Sequence, residues 1–286
     1  MRLALHAETG NGAEVRFDGH ARTGAINRTA VIRQGRERYF LKLNSPDLLD
    51  MYQAEHEGLR EIGATGCLRV PTPVASGACA THAYLVLEFL ELQGAGDASA
   101  LGAGLADLHA HVADQHGWQR DNTIGLTPQH NPPCDDWTAF WRDHRLGFQL
   151  ALAERNGHGP GLVEPGARLL EGLPALLAGH HPAPSLLHGD LWGGNKAFLG
   201  DGSPVVFDPA TYYGDRETDL AMAELFGGFT PDFFRSYRAV FPLDEGHPIR
   251  RDLYQLYHLL NHLNLFGTAY LGQCLALIRR LLAELG

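Results

Sequence analysis

Cysteine is scarce and scattered. Cys67, Cys79, Cys134 and Cys274 are the only four in 286 residues and show no CxxC spacing, so neither a zinc knuckle nor a disulfide framework is indicated. Reduced thiols in a cytoplasmic protein are the expectation. Long apolar runs are lacking too. The opening MRLALHAETGNGAEV returns to charge and glycine too soon for a signal-peptide core, and no run reaches the length of a membrane span. Positive charge is in deficit, with a formal net charge of -10 and a pI near 5.8. That leaves no electrostatic footprint for nucleic acid and favours small-molecule chemistry. Sixteen histidines are present, but the loose clusters His109, His111, His116 and His180, His181 have no zinc-ligand spacing. There is no Walker A sequence, no internal repeat and no low-complexity tract.

What is present is enough apolar material for one large domain or two lobes. The short β-rich runs AVIRQG and RERYFLKLN predict a hairpin around Gln34-Gly35. Ser45-Pro46-Asp47 supplies an N-cap, a first-turn proline and an early carboxylate for a helix running to about Ile62. THAYLVLEFLEL, 81–92, is further strand material, and the linker-like GAGD at 94–97 puts a lobe boundary near residue 92. Beyond it, Leu101, Leu105, Leu108 and Val112 mark one helical stripe, and Trp137, Trp141, Phe148 and Leu152 a second. The polar, Pro-rich 114–135 between them is too long for a plain connection, so it is either functional or mobile. The segment from Arg250 to Leu285 reads as two helices broken near Gly267. These elements predict an α+β chain with a small β-rich lobe, 1–92, and a larger helical lobe, 93–286.

The chemistry concentrates in LLHGDLWGGNKAFLGDGSPVVFDPATYYGD, 186–215. Asp201-Gly202 is a two-residue turn signal between the apolar runs KAFL and PVVF. A hairpin centred there pairs residues whose numbers sum to 403, setting Lys196 opposite Phe207 and Asn195 opposite Asp208. Such partners have Cα atoms about 4.5–5.5 Å apart, so an amide oxygen and a carboxylate emerge together as a hard-ligand pair suited to Mg²⁺. Asp190, just upstream, reaches the same end. Taken singly, these residues are ordinary turn and strand-end types. Their order, Asp-x4-Asn-x12-Asp, matches the base, metal-binding amide and metal-binding carboxylate of kinases.

A phosphotransferase of that kind needs a strand lysine paired with a helix glutamate to hold nucleotide phosphates. Lys42 ends a strand run. Of Glu55, Glu57 and Glu61, Glu55 falls inside the apolar stripe of Leu48, Tyr52, Leu59 and Ile62, while Glu57 points about 200° away. A carboxylate among apolar residues needs a cation, and Lys42 is the candidate; a solvated helix edge is the bland alternative. GHARTGAIN, 19–27, containing Gly24, lies between strand runs and lets backbone amides approach phosphate.

LLHGDLWGGN and FDPATYYGD, with FLKLN, RVPTP, LADLHAH, DDWTAFWRDHRL and GGFTPDFFRSY, resemble the fructosamine kinase (ketosamine kinase) family, a branch of the aminoglycoside phosphotransferase and protein-kinase-like fold. The resemblance spans nearly the whole chain, and Trp192 is its most discriminating residue. It implies ATP-dependent phosphorylation of the 3-hydroxyl of a fructosamine, ribulosamine or related ketosamine, small or protein-bound. Asp190 would be the base, Asn195 and Asp208 the Mg²⁺ ligands, and Lys42, partnered by Glu55, the contact to ATP phosphates. By analogy an adenine edge meets backbone groups at Glu88 to Leu90. Trp192 offers a flat face for the sugar. Asp215 and Asp219 either capture the substrate amine or stabilise the loop, with Asp219 favoured as structural, and His188 and His109 support the catalytic loop. In place of the family's richer glycine run stands Gly24-Ala25. The rival readings are a related kinase acting on an aminoglycoside, choline or a small amino alcohol, and a binding protein without turnover.

Overall fold

The computed structural model describes residues 1–24, 26–159 and 161–286; Ala25, the second half of the Gly24-Ala25 pair, lies outside them. The chain opens with helix α1 (Arg2–Thr9), strands β1 (Val15–Phe17), β2 (Arg22–Thr23), β3 (Arg28–Gln34) and β4 (Glu37–Asn44), helix α2 (Leu49–Thr65), and strands β5 (Pro73–Ala78) and β6 (Ala83–Glu88). The strands form one antiparallel sheet of order β1-β3-β4-β6-β5, with β2 pairing β3. The β3–β4 loop is Gly35-Arg36, one residue later than expected, with Gly35 at φ 65°.

Strand alternation sorts this sheet's side chains onto two faces. Leu41, Tyr84 and Val86 join Leu5 of α1 in one buried cluster. Leu85 and Leu87 turn the other way, onto Met51, Tyr52, Leu59 and Ile62 of α2, and Lys42, next to Leu41 in β4, takes that inner side. The start of α2 differs from expectation. Pro46–Leu48 form a 3-10 turn, Ser45 makes no capping bond to the helix, and α2 continues to Thr65, where Gly66 in the left-handed region ends it.

Next come helix α3 (Ala98–His109), hairpin strands β7 (Asn122–Ile124) and β8 (Thr127–Gln129), and helices α4 (Trp137–Trp141), α5 (Gly147–Ala153) and α6 (Val163–Leu176). Strands β9 (Ser185–Leu187), β10 (Lys196–Phe198), β11 (Pro204–Val206) and β12 (Tyr212–Gly214) follow, then helices α7 (Glu217–Leu225), α8 (Pro231–Val240), α9 (His247–Phe266) and α10 (Leu271–Ala283). Gly267, at φ 91°, breaks the last pair as expected. The stripe on α3 ends at Leu108, since Val112 lies past the helix and is exposed.

The second predicted stripe goes out of phase after Trp141. A π-helical turn at Arg142–Leu146 closes with the Gly147 amide donating to the Arg142 carbonyl. One residue is thereby inserted into the helical repeat, and Leu146, Leu150 and Ala153 are buried where Phe148 and Leu152 were expected. These residues pack with Trp137, Trp141 and the inner faces of α6, α9 and α10. The cluster on α2 runs on through α3 and α8 to Leu186, Leu191 and Val206, so buried packing continues past residue 92 and ties α2 to the segment that carries HGD.

The stretch 114–135 is neither loose nor a simple connection. Trp118, Gln119 and Arg120 hydrogen-bond to Glu61 and Glu57 of α2, while Arg120 also reaches Asp50. Gln129, Asn131 and Arg145 interlock beneath it.

Candidate active site

Strand β9 delivers His188-Gly189-Asp190 to the junction of sheet and helices. Asp219, in the first turn of α7, accepts the amides of His188 and Gly189 at 2.8 Å each and the His109 ring at 3.1 Å. Burial works against the Asp219 charge, yet these donors hold its carboxyl below the ordinary range. His188 is completely buried. Its Nε2 donates to the Phe207 carbonyl at 3.0 Å and its Nδ1 accepts the Asp190 amide at 3.3 Å, which is the neutral tautomer that burial favours. Both histidines and Asp219 are thus supports of the loop, as expected. Gly189 sits at φ 82°, and a β-carbon there would lie 2.0 Å from the Ala210 carbonyl oxygen. No other residue lets these two segments meet.

The β10–β11 hairpin has a different register from the one predicted. Lys196 pairs with Val206 and Phe198 with Pro204, so partners sum to 402. Leu199 and Ser203 close a three-residue loop in which Gly202 takes φ 86°; such loops need a left-handed residue at that place. Asn195 therefore stands opposite Phe207, whose amide donates to its carbonyl at 3.0 Å. Asp208 falls one step beyond, at φ 57°, the only described non-glycine residue with positive φ. Held in that uncommon conformation, its carboxylate turns to Lys42.

Asp190, Asn195, Asp208, Lys42 and Glu55 all line one cavity of about 480 Å³. Lys42 Nζ donates to Glu55 Oε1 at 2.6 Å and to Asp208 Oδ1 at 2.7 Å. Asn195 Nδ2 donates to the Asp190 carbonyl at 2.9 Å and to Asp190 Oδ2 at 3.0 Å. The expected Lys42–Glu55 pair is present, and Glu57 and Glu61 face other partners. The Lys42–Asp208 bond was not foreseen, because nothing local in sequence spans the 166 residues between them.

The electrostatics favour an added cation. Asp190, Asp208 and Glu55 share the single lysine of the cavity. Burial tends to lower Lys42, but the two carboxylates outweigh it and keep the ammonium charged. Burial pushes Glu55 up while Lys42 opposes. Asp190 is pushed up to about 7 by burial and then by the Asp208 charge, with the Asn195 bond opposing. Among the described residues no three His, Cys, Asp or Glu side chains group as a closed metal site. Among the described residues, none donates a hydrogen bond to Asn195 Oδ1 or Asp208 Oδ2. Few protein oxygens next to room for phosphate is what Mg²⁺ requires, so the donor set fits that ion.

The other predicted positions divide. Gly24, Glu88, Leu90 and Trp192 line the cavity. The Glu88 carboxylate is itself occupied by Arg69 and the Thr72 amide, which leaves its backbone at the cavity. Asp215 is not in the lining. It is buried, accepting His180 Nε2 at 2.6 Å, the Tyr254 hydroxyl at 2.5 Å and the Glu217 amide at 3.0 Å. It organises the start of α7, which corrects its reading as a contact to the substrate amine. Asn122, Thr123 and Gly125 complete the wall; only the unusual length of 114–135 hinted at them.

A strand lysine paired to a helix glutamate and an Asp/Asn/Asp set lining the same cavity define a protein-kinase-like small-molecule kinase. The family model described as Fructosamine kinase matches residues 2–284, and the chain belongs to that family of ATP-dependent phosphotransferases. A Synechocystis protein named as a ketoamine kinase is 47% identical over 91% of this chain and 88% of its own. A chloroplastic protein-ribulosamine 3-kinase of Oryza sativa subsp. indica is 40% identical over 89% and 75%. A crystal structure from Haemophilus somnus, described as a fructosamine-3-kinase, superposes with a TM-score of 0.90 at 28% identity, covering 98% of this chain and 96% of that one. No described helix is long and apolar enough to cross a membrane.

Proposed function

We propose that the protein transfers the γ-phosphoryl group of ATP to the 3-hydroxyl of a ketosamine, a fructosamine or ribulosamine adduct of a small or protein-bound amine, in the cytoplasm. The observation that carries this reading is the convergence of Asp190, Asn195, Asp208 and Lys42 on one cavity, in a chain similar to proteins named for ketoamine and ribulosamine phosphorylation. Residues 1–92 would carry the nucleotide, with Lys42 on its phosphates, Gly24 near them and the backbone at Glu88 and Leu90 on the adenine edge. Residues 93–286 would supply the catalytic loop and the acceptor side.

In the reaction, Asp190 orients the sugar hydroxyl and takes its proton as the oxygen bonds to the γ-phosphorus. The bond to the bridging oxygen breaks and ADP leaves. Asp190, drawn up by burial and by Asp208, is basic enough to receive the proton and returns it to solvent. Asn195 fixes the Asp190 carboxylate through its amide. Asn195 Oδ1 and Asp208 would hold Mg²⁺, which supplies neutralisation of phosphate charge. Lys42 stays positioned by Glu55. Trp192 offers the sugar a flat apolar face. Such chemistry is mostly placement and charge compensation.

ADP release measured with ketosamines, aminoglycosides and choline as acceptors tests this, with Asp190→Asn as control. Ketosamines should be used and the variant should be inactive. Good turnover of aminoglycosides or choline without ketosamines, or full activity of the variant, would sink the reading.

A further inference from the structure

Among the described residues, four exposed large hydrophobic side chains, Leu126, Trp192, Phe226 and Phe266, belong to segments that line the catalytic cavity or pack on its lining. Two close approaches fix their place. On the catalytic loop, Gly193 packs so tightly on the segment after α7 that a β-carbon there would lie 2.9 Å from the Gly227 carbonyl oxygen. This packs the segment that follows Phe226 against the loop that carries Trp192, which lines the cavity. Gly125 of the β7–β8 turn also lines the cavity, and a β-carbon on it would lie 2.9 Å from Leu265 Cδ1. The last turn of α9 therefore packs on the cavity wall. Between them His262 joins the aromatic residues, its ring 4.5 Å from Phe226, 5.5 Å from Phe266 and 5.2 Å from Tyr270 between centroids.

The shelf is uncharged. His262 Nδ1 donates to the His258 carbonyl at 2.8 Å, and burial depresses its pKa so that the ring stays neutral. The neighbouring carboxylate, Glu224, is engaged by Arg238 and Arg251. Contiguous exposed apolar surface beside a site marks a binding surface, and these three rings themselves offer no carboxylate to a polycationic acceptor.

We propose that the shelf of Phe226, His262 and Phe266 receives the substituent on the amine nitrogen of the acceptor, and that it selects ketosamines of apolar or aromatic amines over those bearing a second positive charge. The inference rests on the ketosamine reading above. With the attacking hydroxyl at Asp190, the amine nitrogen is only a few bonds away, and what it carries would extend along the wall that Trp192 and Gly125 line, towards these rings.

The test is steady-state kinetics of the full-length protein with fructose adducts of methylamine, benzylamine and 1,4-diaminobutane. The benzylamine adduct should show kcat/KM about tenfold above the methylamine adduct, chiefly through KM, and the diaminobutane adduct should show no advantage. In Phe226→Ala/Phe266→Ala the benzyl-to-methyl ratio should collapse towards one, and Phe226→Tyr/Phe266→Tyr should restore it. A ratio cancels general damage to folding. Equal kcat/KM for benzyl and methyl adducts in the unmodified protein, preference for the diamine, or an unchanged ratio in the alanine variant overturns the proposal. If even the methylamine adduct is not phosphorylated, the ketosamine reading itself fails and this inference falls with it.

Discussion

The indole nitrogen of Trp118 donates to Glu61 Oε2 at 2.6 Å, and the Tyr213 hydroxyl donates to Oε1 of the same carboxylate at 2.7 Å. With Arg120 on Glu57 and Asp50, these bonds pin α2 from outside the sheet, so the helix that presents Glu55 to Lys42 is held by residues that do not themselves line the cavity. Trp118→Phe keeps most of the packing and removes the donor to a charged acceptor, a loss of about 1.5–3 kcal/mol. The expected result is a lower Tm together with a raised KM for ATP. A lower Tm with ATP KM unchanged would mean that the strap stabilises without positioning.

Asp190→Asn keeps the size of the side chain and removes its basicity. We expect kcat to fall by about 10²–10⁴-fold, with nucleotide affinity retained because Lys42, Glu55 and Asp208 are untouched. Isothermal titration with a non-hydrolysable ATP analogue separates the two effects. Lost nucleotide binding would show that Asp190 serves the fold of the site instead.

Much of this site was legible because the residues concerned are close in sequence or tied by a simple period. Glu55 was separable from Glu57 by helical angle alone, and Asp190, Asn195 and Asp208 by their placement around a hairpin. The hairpin's register was not legible, since Asp201-Gly202 suits both a two-residue loop and the observed three-residue loop, and one residue moved Asp208 past Asn195. The phase change at Arg142–Leu146 left no mark, because a π-turn depends on packing and not on a signature residue. Asp215 looked like a site residue by nearness to the motif. Only tertiary structure shows its oxygens spent on His180 and Tyr254.

Lys42 balances two carboxylates, and removing it leaves both uncompensated. Lys42→Met should abolish turnover and destabilise the protein by about 3–5 kcal/mol, the usual cost of orphaning a buried charge. Lys42→Met/Glu55→Gln removes the buried negative charge as well and should recover a large part of the stability while remaining inactive. Chemical denaturation of the single and double variants gives the coupling. Additive losses would show that Lys42 and Glu55 do not act as a pair.

His258 is buried in α9, its Nδ1 has no hydrogen-bond partner among the described residues, and its pKa is pushed down to about 3 by burial and the neighbouring His262. Unfolded, the ring titrates near 6.5. Between these values the unfolded chain binds a proton that the folded chain refuses, so stability rises with pH from about 3 to 6.5 and is lost as pH falls through that window. A full proton contributes a slope of about 1.4 kcal/mol per pH unit. His258→Leu fills a similar volume and has no ring to protonate. Its unfolding free energy should fall less steeply below pH 6.5 than that of the unmodified protein, by about one proton, making the variant the more stable of the two near pH 5. Parallel urea titrations from pH 4 to 8 read this directly, and parallel acid limbs for the two proteins would rule His258 out as a source of the slope.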